Sequence, residues 1–151
     1  MRRLPRRGRG SNEQKVLRRD WHERAGATHL SRNDDSAVVR VYRIIIESEI
    51  IPLYSAGIIK EYKEVLSRKK FGLDPGEVNY VLTLIMDKGV EVSPRPSGIQ
   101  LFDMEDLVFY EVVLEKKEDG AYLITGNKRH FPSDPIVVTA AEFLEIIGET
   151  K

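Results

Sequence analysis

Three short apolar runs constrain this chain most: residues 50–54 (IIPLY), 121–124 (AYLI) and 136–138 (IVV). Each has the length of a strand. Each stops at a residue that opens a helix or a tight loop: Ser55, Thr125 and Thr139. Strand-length runs alternating with longer amphipathic stretches predict βα units, in which parallel strands are joined by right-handed crossovers. The expected fold class is therefore α/β, a sandwich built on a parallel sheet. Strands of such a sheet end where the following helices begin, and ligands of open α/β folds collect at that carboxyl edge.

The stretches between the runs read as helices with defined ends. Ser55 caps a helix from Ala56 to about Lys70, with Ile58, Ile59, Tyr62, Val65 and Leu66 as its buried stripe. Asp74-Pro75-Gly76-Glu77 combines an N-cap, a proline at N1 and a glutamate at N3, and starts a helix that reaches about Lys88 and stops at Gly89. Residues 90–93 predict a strand and residues 94–98 a loop. A helix then follows the acidic stretch around Asp103, with Leu107, Tyr110, Val113 and Leu114 facing the core. Thr139 and Glu142 form a capping box for a last helix, whose Phe143, Leu144, Ile146 and Ile147 face in. Residues 36–49 are expected to be an apolar helix capped by Asp35 or Ser36, although their β-branched content also suits a strand. Pro52 argues that residues 50–54 lie at a sheet edge or start irregularly. A domain of this kind normally opens with a strand, and none is legible before residue 50.

Charge and composition remove several functions. The 24 basic and 24 acidic side chains cancel, so the molecule as a whole does not attract nucleic acid by net charge. Without cysteine there are no disulfides and no thiolate metal sites, which fits a reducing cytoplasm. No apolar run approaches the roughly 20 residues that span a bilayer, and no secretory apolar region follows the basic start. Residues 1–30 are rich in arginine and lack apolar periodicity. They are expected to be a disordered or aberrant segment, with a phosphate-contacting arm as the alternative. Residues 31–151 are expected to form the domain. Trp21, His22 and His29 show no metal spacing, and both histidines are expected to be exposed.

Candidate chemistry lies at the carboxyl edge. Glu61, Asp106 and Asn127 each follow a strand or start a helix there, and Asp103 precedes Asp106 by three residues. Asp106 is one turn before Tyr110 on the core stripe, so its carboxylate is expected to point toward the sheet edge. A pair of carboxylates and an amide oxygen suit a hard divalent cation, Mg2+ or Mn2+, which activates water and offsets phosphoryl charge. Lys128, Arg129 and His130 follow directly and suit a phosphate backbone. The competing roles are structural: Asp103 as an ordinary N-cap, Asp106 as an N3 acid on the helix dipole.

The segments IIPLYSAGIIKEYKEVLSRKKFGL, LFDMEDLVFYEVVLEKKEDGAYLITGNKRHFP and IVVTAAEFLE resemble the PIN domain, and are most similar to its toxin components of toxin–antitoxin systems. YLITGNKRHFP is the most specific piece and KEYKEVLSR the next. The resemblance covers about residues 36–149. It implies a three-layer α/β/α sandwich and a metal-dependent endoribonuclease acting on RNA, with an antitoxin protein and a homodimer as partners. It also implies Glu61 as the helix glutamate, Asp106 as the aspartate opening the late helix, Asn127 at a position where other branches carry an acid, and Asp103 as an accessory acid. Lys128 and Arg129 would position the RNA.

One departure matters. The first strand of a PIN domain ends in Asp-Thr-Asn, and that aspartate is the principal metal ligand. Residues 15–30, KVLRRDWHERAGATHL, contain no such motif, so the first strand is expected to be missing or degraded. Codons allowed for residues 21–27, read one nucleotide later, spell Gly-Thr-Asn-Val-Leu-Val. An upstream frameshift is thus a hypothesis that gene sequencing tests, and codons incompatible with that reading would end it. Two functions stay open under the resemblance: an active ribonuclease, and a catalytically inactive remnant that binds RNA or an antitoxin. A different α/β phosphohydrolase is a third and lacks a glycine-rich phosphate loop.

Overall fold

The computed structural model describes residues 25–30 and 50–149. Five strands form one parallel sheet: β1 (Ala25–Thr28), β2 (Ile51–Tyr54), β3 (Val90–Glu91), β4 (Tyr122–Ile124) and β5 (Val137–Val138). Their spatial order is β3-β2-β1-β4-β5. Among the described residues, four helices flank the sheet: α1 (Ala56–Leu66), α2 (Pro75–Lys88), α3 (Leu107–Glu115) and α4 (Ala140–Glu149). The expected α/β class and parallel sheet are therefore observed. The helix expected over residues 36–49 lies outside the described residues. None of the described helices is long and apolar enough to cross a membrane.

The strand expected to be missing is present and central. β1 pairs with β2 through Ala25↔Ile51 and Gly26↔Pro52, and with β4 through Gly26↔Tyr122, Ala27↔Leu123 and Thr28↔Ile124. All four of its residues are buried. They hold almost no apolar side chain, so hydrophobic periodicity carries no trace of them. What selects them is space: a Cβ on Gly26 would lie 2.6 Å from the Tyr122 carbonyl oxygen. The sheet therefore includes residues from the segment 1–30.

Pro52 is likewise not on an edge, because β3 covers the outer side of β2. The β2–β3 ladder begins only at Leu53↔Val90, so the proline precedes it and forfeits no bond there.

Local chemistry explains the helix ends. Ser55 Oγ accepts the Ile58 N–H at 3.2 Å. Asp74 and Glu77 exchange side-chain bonds of 2.8 and 2.9 Å with each other's amides, and Thr139 and Glu142 do the same at 3.1 and 2.8 Å. α1 ends at Leu66, earlier than expected. A separate 3-10 turn, Lys69–Phe71, follows and closes on Gly72 at φ 66°. α3 packs across β1, β2 and β4. Its buried face is wider than the expected stripe and includes Phe109 and Val112, whereas Leu107 and Leu114 are only partly buried. In α4, Phe143 and Ile147 are buried but Leu144, expected inside, is exposed.

A partly buried bond joins α3 to the segment entering β5. Tyr110 donates its hydroxyl hydrogen to Asp134 Oδ2 at 3.0 Å. Burial first, then this bond to a carboxylate, pushes the Tyr110 phenol up to about 12. Burial opposes the charge on Asp134, but the Ile136 amide, the Tyr110 hydroxyl and the Lys117 ammonium outweigh it and hold the carboxyl below its ordinary value. The signs are opposite. The folded phenol titrates above its unfolded value of 10.0, so its contribution is complete below that pH and disappears as pH rises through about 12. Asp134 contributes above the ordinary carboxylate range and loses its contribution as pH falls. Replacement of Tyr110 by phenylalanine should remove one late step from the alkaline tyrosinate titration and soften the alkaline loss of stability. An unchanged titration would show that Tyr110 is not among the late phenols.

Candidate metal centre

Of the described strands, the first, β1, lies in the middle of the sheet, β2 and β3 build out to one side of it, and β4 and β5 to the other. The crevice between β1 and β4 is thus the point where strand order reverses, the place where open α/β sheets bind ligands. His29 is the first residue past β1. Its amide donates to the Ile124 carbonyl at 2.7 Å and continues the ladder by one step. The ring is buried at 1% exposure, between the edge-on rings of Phe109 at 5.2 Å and Phe131 at 4.9 Å. It was expected in solvent. Only the unforeseen β1 carries it inside. His22 lies outside the described residues.

Asp106 meets it from the other side. The residue ends a 3-10 turn, Met104–Asp106, that leads into α3, and it is buried. Oδ1 lies 2.7 Å from His29 Nε2 and Oδ2 lies 2.9 Å from His130 Nδ1. His130 sits on the 3-10 turn Lys128–His130 that follows β4 and keeps 29% of its side chain exposed. Three chain-distant groups therefore converge, with one ligand atom from each lying within 4.8 Å of the others.

A hydroxyl orients the buried imidazole. Thr125 Oγ1 lies 2.9 Å from His29 Nδ1 and also accepts the Asn127 N–H at 3.0 Å. With that amide as its donor, Thr125 is free to give its own proton to Nδ1. Nε2 then carries the hydrogen that Asp106 accepts.

The other expected residues surround the centre in different ways. Asp103 caps the turn before Asp106, with Oδ1 accepting the Glu105 N–H at 3.0 Å. Asn127 is exposed, and its Oδ1 accepts the Arg129 N–H at 3.2 Å, so the side chain caps the turn that carries His130. Glu61 is partly buried on α1 and lines an open groove with Lys60, Lys63, Glu64, Ser67 and Glu105. Its neighbour Tyr62 donates to the Thr28 carbonyl at 2.6 Å, which fixes this part of α1 against the end of β1. Neither Glu61 nor Asp103 belongs to the convergent trio. Lys128 pairs with Glu142 at 3.2 Å, and both Lys128 and Arg129 line a shallow pocket beside β5 and α4.

Sequence reasoning therefore reached Asp106 and missed its two imidazole partners as such. His130 had a usable signal, its place six residues beyond the end of a strand opposite Asp106. His29 had none without β1.

A family model described as the PIN domain matches residues 27–129, a span that runs from β1 to the turn bearing His130. No curated protein and no solved structure matches the chain.

Proposed function

Because the chain belongs to the PIN domain family, we propose that it hydrolyses RNA phosphodiesters as the toxin of a toxin–antitoxin pair. PIN domains in general are nucleases that typically use divalent metals. The observation that carries the reading is the convergence of Asp106 with two further donors at the strand-order reversal. A divalent ion bound there supplies an activated water and offsets charge on the phosphoryl oxygen.

The donors present decide how well each ion fits. Asp106 is the single carboxylate of the trio, and its two partners offer nitrogen. That set suits a transition ion better than Mg2+, which prefers an all-oxygen octahedral shell. Of the two ions expected from sequence, Mn2+ is the better match. Asp106 would anchor the ion, Glu61 and Asp103 would add negative potential, and Asn127 holds the turn on which His130 stands. Lys128 and Arg129, on that turn, contact the RNA backbone. Their attraction is screened by salt, so RNA affinity falls as ionic strength rises. An antitoxin protein, a homodimeric state and a cytoplasmic site of action belong to the same reading.

One observation favours the second function, a catalytically inactive RNA- or antitoxin-binding protein. Both Asp106 oxygens already accept from imidazoles, so the fold satisfies them without an ion. Incubation of RNA with the full chain and Mn2+ or Mg2+, with EDTA and Asp106→Asn as controls, separates the two. Cleavage that both controls abolish is the expected result. A well-folded sample that binds RNA and leaves it intact overturns the nuclease.

A further inference from the structure

We infer that the centre at the end of β1 is built for a nitrogen-accepting divalent ion of the zinc class, held by His29 Nε2, His130 Nδ1 and one oxygen of Asp106, and that it discriminates against Mg2+. The inference rests on the proposed reading only for the use made of the ion. The donor set and its supports come from this chain.

Two imidazoles and a carboxylate are the protein ligands of one common kind of catalytic zinc site, in which water takes the remaining position. Three features match that requirement. First, the ligand atoms come from three separate elements and lie within 4.8 Å of one another. Second, the buried imidazole has an outer partner on its other nitrogen. A metal-bound histidine needs its second ring N–H held by an acceptor, and Thr125 Oγ1 is 2.9 Å from His29 Nδ1. The hydroxyl accepts that N–H when Nε2 gives its own hydrogen up to the ion. Third, the ring plane is set beforehand by the edge-on rings of Phe109 and Phe131. His130, 29% exposed, leaves the centre a face open to water.

The hydrogen-bonded form is the competitor. Ligand atoms around tetrahedral zinc stand about 3.3 Å apart for bonds of about 2.0–2.1 Å. The 2.7 and 2.9 Å contacts run to different oxygens of Asp106, and one ligand atom from each residue already lies within 4.8 Å of the others, so binding needs a small shift of the carboxylate and of one imidazole and replaces two hydrogen bonds with metal bonds. The short turn bearing His130 is the element free to make that adjustment, since its side chain is the least buried of the three.

The test needs no RNA. Full-length protein is stripped with chelator and titrated with Co2+, whose visible absorption reports four-coordinate nitrogen and oxygen ligation. Zn2+ and Mg2+ then compete. The expected result is one Co2+ per chain, displaced by equimolar Zn2+ and retained in a large excess of Mg2+. His130→Ala, at a partly exposed position that the fold tolerates, should weaken Co2+ binding on the order of 100-fold or more. Thr125→Val should weaken it by about 10–100-fold through the lost outer bond. Absence of the Co2+ spectrum in folded protein overturns the inference, as does displacement by Mg2+ or unchanged affinity in His130→Ala. Tight Co2+ binding without RNA cleavage would leave this inference standing and remove the nuclease. Cleavage with Mg2+ and no Co2+ binding would do the reverse.

Discussion

Asp106→Ala should destabilise the fold by about 1–3 kcal/mol, the cost of leaving a buried polar group without its partner. The loss falls on His29. Its ring is 1% exposed and gives up the 2.7 Å bond between Nε2 and Asp106. Water reaches His130 far more easily, since 29% of that side chain is exposed, so its 2.9 Å bond is replaced at little cost. Asp106→Asn preserves the shape and one acceptor. It should cost less than the alanine variant, because the amide oxygen still accepts from one imidazole while the amide nitrogen turns to the other. Urea unfolding of the three proteins measures this directly, with the slope checked for a constant change in exposed surface. Equal stability of wild type and Asp106→Ala would mean that the centre does not hold β1 and α3 together.

Gly26→Ala should destabilise the sheet at its central strand. The added Cβ would stand 2.6 Å from the Tyr122 carbonyl oxygen and 3.1 Å from Ile124 Cδ1. The first neighbour is backbone and cannot rotate away. The β1–β4 ladder must therefore separate, in the one strand that joins the two halves of the sheet. Overpacking of this kind costs about 1–3 kcal/mol, and each kcal/mol lowers Tm by about 2–4 °C in a chain of this size. Gly148→Ala is the matched control. It lies exposed in α4 with open space around its Cβ position, and alanine there favours the helix by about 0.5–1 kcal/mol. Thermal unfolding should move in opposite directions for the two variants. A neutral Gly26→Ala would mean that the strands are not in close approach there.

These two positions also show where sequence reasoning reached its limit. β2, β4 and β5 were legible because each buries large apolar side chains in a short run, and the helix starts were legible because caps are local chemistry. Ser55, Asp74 with Glu77, and Thr139 with Glu142 bond within a few residues of themselves. Asp106 was legible for a related reason. Its spacing from Tyr110 places it on the inward face at a helix start, next to a strand end.

β1 was illegible because its signal is the absence of side chains. Ala-Gly-Ala-Thr could be a turn or a linker, and nothing local distinguishes those from a strand squeezed between two others. Everything carried by β1 was lost with it. His29 looked like one more exposed histidine beside an arginine-rich segment, and the metal donors were sought among acids instead.

The sequence by itself determined the α/β class, the helix boundaries set by caps, and the edge at which Asp106 stands, since each depends on periodicity or on bonds between near neighbours. Only the tertiary structure decided the central strand and the partners of Asp106. Those depend on close packing of backbones across the sheet and on contacts between residues 77 and 24 positions away from the acid, which no local pattern encodes.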